Sequence, residues 1–293
     1  MFKRIFVLLL LSLSLYGCGA FVRTAYNHSD TAVRFMASDY FDVAGPQTVL
    51  VDGGVERFHA WHRREELPRY AVLFEEAAGR INRGLQRDDV QWALENMRAR
   101  YRILADRAID DALPALLTLN GDNLAALEAK FSEKNEEFSD EFLSGDATDR
   151  ERAQIKAYEK RLSDWVGDLQ PAQERLIAEF VRAHPRTAAI KFEDRKRRQQ
   201  EMLALFKQGG DREQLRARLR DFFDNYERNR PVETAAYARR MENDFVDLLL
   251  AVDRSIDSTQ RIHAAQRFER YAQDFRVLAR EGRAPKNDDL AAK

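Results

Sequence analysis

Apolar residues recur at steps of three and four along almost the whole chain. Leu124, Leu127, Phe131, Phe138 and Phe142 form one such stripe, and Ile155, Tyr158, Leu162 and Trp165 a second. Leu215, Leu219, Phe222 and Tyr226, then Met241, Phe245, Leu248 and Val252, then Phe268, Tyr271, Phe275 and Leu278 continue the pattern. That spacing lays one apolar face along a 3.6-residue helix, and it is incompatible with the two-residue period of a strand. Runs of alternating β-branched residues are missing. With 33% charged residues and only 13 Gly and 7 Pro in 293, the composition suits exposed helix faces between short breaks. The expected class is all-α: an elongated array of antiparallel helical hairpins, about nine or ten helices, since short loops make sequential helices antiparallel.

Helix boundaries carry their usual chemistry. Pro46, Pro68, Pro171 and Pro231 sit where a first turn tolerates a missing N–H. Thr148 and Glu151 have the spacing of a capping box. Gly145-Asp146 is placed to close the Phe142 helix, and Gly209-Gly210-Asp211 ends one helix and caps the next. No linker rich in Pro, Gly or Ser divides the chain, so residues 29–280 read as one helical domain. From Glu281 to Lys293 the periodicity fades into a disordered tail.

The N-terminus has the three parts of a secretory signal. Lys3 and Arg4 precede an apolar stretch from Ile5 to Leu15, which is too short to span a bilayer. The run Leu15-Tyr16-Gly17-Cys18 that ends it resembles the bacterial lipobox, with Tyr16 where Ala, Ser or Thr is usual. The resemblance implies that residues 1–17 are removed as a lipoprotein signal peptide. Cys18, the sole cysteine, would then carry a thioether-linked diacylglyceryl group and an acylated amine, palmitate among the chains. An ordinary cleaved signal is the alternative. Two or three acyl chains make a permanent anchor where one would not. Gly19 in place of Asp implies the periplasmic face of an outer membrane, by analogy with enterobacterial lipoproteins. Residues 18–28 are expected to form a short lipidated tether; Phe21, Val22 and Tyr26 are already apolar, so the body should lie near the membrane. Lipidation leaves no thiol for a disulfide. Loss of residues 1–17 moves the formal charge from −1 to −3, a balance that argues against a nucleic-acid partner.

Several helices open on a similar phrase. Leu169-Gln170-Pro171-Ala172-Gln173 and Ile256-Asp257-Ser258-Thr259-Gln260 are the closest pair; Leu119-Asn120-Gly121-Asp122-Asn123 and Val43-Ala44-Gly45-Pro46-Gln47 are looser. The common form is an apolar residue, a capping or turn residue, two spacers and an amide. It is similar to the Leu-Thr-x-x-Gln motif of small periplasmic helical chaperones and stress sensors, although none of the four has Thr at the second position. Two readings stand: capping chemistry alone repeats such phrases, or the chain contains duplicated helical hairpins.

The densest segment runs Trp61-His62-Arg63-Arg64-Glu65-Glu66-Leu67-Pro68-Arg69-Tyr70. Pro68 disfavours helical geometry at Leu67, so one helix should end here and the next begin. Arg63, Arg64 and Arg69 would pair with Glu65 and Glu66 across the corner, with Trp61, His62, Arg63, Glu66, Pro68 and Tyr70 as its structural or binding residues. Together with the lipobox, Tyr40-Phe41-Asp42 and an all-helical remainder, this corner resembles an uncharacterised family of bacterial helical lipoproteins. The resemblance implies a fold and a location, and no substrate.

No reaction is indicated. His59, His62 and Glu66 lie at steps of three and four, so one helix face presents a possible zinc set, but the chain lacks the HExxH pattern; satisfied structural histidines are the preferred reading, with no metal and no cofactor. The basic run Lys191, Arg195, Arg197 and Arg198, with Lys196, is interrupted by Glu193 and Asp194 and reads as a solvated helix face. Gly-x-Ser-x-Gly and phosphate-binding loops are absent. The favoured function is a non-enzymatic, lipid-anchored binding or chaperone-like envelope protein. Its partners would be the membrane, through Cys18, and an envelope protein or unfolded client. The alternatives are an envelope hydrolase, metal-dependent through His59 and His62, and a structural assembly factor.

Overall fold

The computed structural model describes residues 19–282. The signal segment, Cys18 and most of the expected tail lie outside the described residues. The chain is all-α. In order, the helices are α1 (Gly19–Asn27), α2 (Ser29–Phe41), α3 (Pro46–Trp61), α4 (Leu67–Asn82), α5 (Arg87–Leu116), α6 (Gly121–Phe142), α7 (Ala147–Val166), α8 (Pro171–Ala183), α9 (Thr187–Lys207), α10 (Arg212–Asp224), α11 (Val232–Ser255) and α12 (Ser258–Glu281). No described helix is long and apolar enough to cross a membrane.

The largest revision concerns the corner expected at Trp61–Tyr70. The chain does not turn there. His62–Glu66 form a π-helical turn that joins α3 to α4 without a break. Trp61, His62, Glu66 and Leu67 all keep right-handed helical dihedrals. The cause is Pro68. Inside an α-helix it removes one backbone donor and its ring meets the carbonyl four residues back. One extra residue in the preceding turn relieves the clash: the Leu67 N–H reaches back five residues to the His62 carbonyl. Arg69 also donates from Nη1 to the Glu65 carbonyl at 2.7 Å.

Other boundaries moved by a residue or two. The cap of α7 is Asp146, whose carboxylate accepts from the Asp149 N–H, not Thr148; Pro231 precedes its helix as the N-cap. Pro46 and Pro171 open α3 and α8 as expected. Helix α12 ends at Glu281.

The helices are not stacked simply in chain order. The most extensive pairing joins α4 to α12, close to the two ends of the chain. Leu67, Tyr70 and Ala71 of α4 meet Tyr271, Ala272, Phe275 and Leu278 of α12 in the main core. Phe74 lies against Phe268 and Phe275 with ring centroids 5.3 and 5.2 Å apart. A second core holds Ile109 and Leu113 of α5 against Met202, Leu205, Leu215 and Leu219. Helix α3 crosses α5 closely at Gly54, where an added Cβ would lie 2.6 Å from the Asp111 carbonyl oxygen.

Each of the four helix-start phrases does begin a helix, and they meet in pairs. Gln47 at the start of α3 bonds Asn123 at the start of α6, and Gln173 of α8 bonds Gln260 of α12.

Candidate functional site

Residues 19–27, expected to belong to the short tether, are helical. They form helix α1, which packs against α12. Val22 and Tyr26 enter the main core beside Leu67 and Phe275, and Arg23 reaches Asp274 at 3.7 Å. The π-turn presents the groups that receive Tyr26. Tyr26 Oη and His62 Nδ1 share a hydrogen bond of 2.8 Å. The Tyr26 ring stacks on His59 and His62 at 4.9 and 5.7 Å. Arg63 covers the same ring, its guanidinium carbon 5.1 Å from the centroid, and donates to Asn27 Oδ1.

One turn further on, Glu66 is sealed from solvent, with 0% of its surface exposed. Two arginines hold it: Arg69 Nη1 at 3.1 Å and Arg100 Nη1, from α5, at 3.2 Å. Arg64 pairs with Glu65 instead, and Arg63 approaches Glu281 at 4.0 Å. The arginines expected to join Glu65 and Glu66 therefore do so in part, with Arg63 diverted to α1 and the end of α12. Trp61 packs on Phe58 and under Arg107. Tyr70 is buried, edge-on to His62 and Phe275, and its hydroxyl has no hydrogen-bond partner among the described residues.

Burial sets the electrostatics of this seam. It drives the His62 imidazole down to about 3, helped by His59 and Arg63, and lowers His59 for the same first reason. Burial raises the Tyr26 phenol against the pull of Arg63, and raises Tyr70 with the Glu66 charge adding to it. At neutral pH the seam therefore holds neutral imidazoles and protonated phenols.

The zinc face does not assemble. His59 and His62 both address Tyr26, while the extra residue of the π-turn carries Glu66 to Arg69 and Arg100. No group of three or more His, Cys, Asp or Glu among the described residues is placed to hold a metal.

The basic run on α9 is also not a solvated face. Asp194, Arg198 and Gln199 are buried. Arg197 and Arg230 both reach Asp194, at 3.1 and 2.5 Å. Arg198 donates to the Phe222 carbonyl and lies 3.3 Å from the centroid of the Phe222 ring. The run ties α9 to the turn after α10.

Sequence reasoning missed Tyr26 and Arg100. Tyr26 reads as one more apolar residue, and Arg100 is one of many arginines; nothing local marks either as the partner of the π-turn. Beside the second core, a hollow of about 70 Å³ is lined by Leu116, Leu119, Leu124, Phe206 and Leu215. Pockets for organic ligands are several times larger.

No curated protein matches the chain, and no solved structure does. A family model matches residues 39–232, which takes in the π-turn, the α9 network and three of the four helix-start phrases. On that match the chain belongs to the family of unknown function DUF6279.

Proposed function

We propose that this is a lipid-anchored protein of the cell envelope, attached through Cys18 on the periplasmic side of a membrane, the outer one where the host has two. It works by binding an envelope protein or an unfolded client, and not by catalysis. One observation carries the reading: helix α1 begins at Gly19, one residue after the lipobox cysteine, and is fastened to the body by Tyr26, Arg23 and Val22. An acyl anchor at Cys18 would hold the body against the bilayer with no slack, which suits a protein that acts on neighbours at the membrane surface. The commitment of His62 to Tyr26, and of Glu66 to Arg69 and Arg100, supports binding over chemistry.

Fractionation of cells carrying Cys18→Ala tests the anchor. The variant should leave the membrane fraction; a variant that stays there sinks the reading. Crosslinking of the lipidated protein in cells tests the binding role, with a reproducible envelope partner expected. A His59→Ala/His62→Ala variant that folds but loses all cellular function would favour the hydrolase reading instead.

A further inference from the structure

The four helix-start phrases show a regularity that separate caps do not require. In each pair the amides bond reciprocally. Gln173 Nε2 donates to Gln260 Oε1 at 2.8 Å, and Gln260 Nε2 returns the bond at 3.0 Å. Gln47 Nε2 donates to Asn123 Oδ1 at 2.9 Å, and Asn123 Nδ2 lies 3.4 Å from Gln47 Oε1. Each amide also donates to the backbone carbonyl just before its partner's phrase. Gln260 reaches the Asp168 carbonyl and Gln173 the Ser255 carbonyl. Gln47 reaches the Thr118 carbonyl, and Asn123 the Asp42 carbonyl beside a shorter bond to Phe41. The amide oxygens of Asn123, Gln173 and Gln260 close the circuit by accepting the N–H of their own N-cap residues.

A side chain in this position needs two donors and two acceptor sites at once. Only an amide offers both. A carboxylate lacks the donors and a hydroxyl has one. Gln173, Gln260 and Asn123 are buried, so a lost partner leaves a polar group without water to replace it.

We propose that the four phrases are two copies of one interhelical lock, created by internal duplication, and that each lock opens as a unit. The first copy joins the starts of α3 and α6, the second those of α8 and α12. In both, the helix that precedes the second phrase, α5 or α11, delivers the chain directly into the lock. The duplicated-hairpin reading of the phrases thus gains a physical object, and the inference does not depend on the anchor or on any client.

Alanine variants of the full chain in detergent test it by denaturant midpoint. The double variants Gln47→Ala/Asn123→Ala and Gln173→Ala/Gln260→Ala should fall little further than the worse of their single variants, because either loss already opens the lock. The crossed double Gln47→Ala/Gln173→Ala should show the sum of its singles. Within-lock losses that simply add would overturn the proposal and leave four independent caps. Hydrogen exchange on the unaltered chain reads the same point should a variant fail to fold. The first-turn amides of α8 and α12 should open with one common protection factor, and those of α3 and α6 with another. Unrelated rates at the two starts of one lock would refute it.

Discussion

Arg100 Nη1 lies 3.2 Å from Oε1 of Glu66, a carboxylate from which the fold excludes water. The pair links the π-turn to α5 and is half of the clamp that Arg69 completes. Removing one side of a buried ion pair costs more than the pair contributes, because water cannot replace the lost partner. Arg100→Met should therefore destabilise the protein by about 3 kcal/mol, and Glu66→Leu/Arg100→Met by less than the arginine change alone. Equilibrium urea unfolding checks the order; a double variant worse than Arg100→Met contradicts it.

His62 makes stability depend on pH in a predictable direction. Its folded-state affinity for protons is depressed to about 3, whereas an unfolded imidazole titrates near 6.5. Between those values the unfolded chain binds the extra proton, so stability is present above pH 6.5 and falls as the pH drops toward 3. From pH 7 to 5 this group should cost at most about 2 kcal/mol. His59, lowered in the same direction, adds to the slope. Unfolding midpoints across that range should drop, and His62→Phe should flatten the drop. An unchanged slope would disprove the assignment.

Gly54 sits where α3 crosses α5. A methyl group there meets the Asp111 backbone oxygen at 2.6 Å, and backbone cannot step aside as a side-chain tip can. Gly54→Ala should cost about 1–3 kcal/mol, in the range of core overpacking, despite the better helix propensity of Ala. The control is Gly79→Ala on α4, where nothing lies within 4 Å of the added carbon; that change should stabilise the chain slightly. Thermal unfolding of the two variants should move in opposite directions.

Asp194 holds Arg197 and Arg230 together in the α9 network. Asp194→Ala should leave Arg230, whose side chain is 7% exposed, with only the exposed Glu227 as an ionic partner, at a cost of about 3 kcal/mol. The neighbouring Glu193→Ala, which breaks an exposed pair with Lys196, should stay within about 0.5 kcal/mol of the parent. Comparable losses at both positions would mean that the run is a solvated face after all.

The sequence displayed the helices because a packed helix must repeat its apolar face, as Phe268, Tyr271, Phe275 and Leu278 do. It displayed three of the four phrases as capping sites because a side-chain amide or acid three residues apart leaves a local trace, as Asp257 and Gln260 show. What it did not display was who meets whom. Pro68 signalled a disturbance, but whether the chain answers with a break or a π-turn depends on α12 and α5 packing on both sides of it. Tyr26 and His62 are 36 residues apart, and no local spacing connects them. The basic run misled because charge pattern on one helix says nothing about Phe222 and Arg230 arriving from elsewhere.

The pairing of α4 with α12 has a consequence for how the chain comes to be folded. About 200 residues of polypeptide separate Tyr70 from Phe275, and contacts of such range form late and slowly. The main core lacks one wall until α12, the last described helix, has been delivered. If the chain is exported as proposed, it would thus stay open, its apolar faces uncovered, until almost its final residues had crossed. Trimming the C-terminus by a few turns should then be far more damaging than its position in the sequence suggests, since it removes the piece that lets the molecule close.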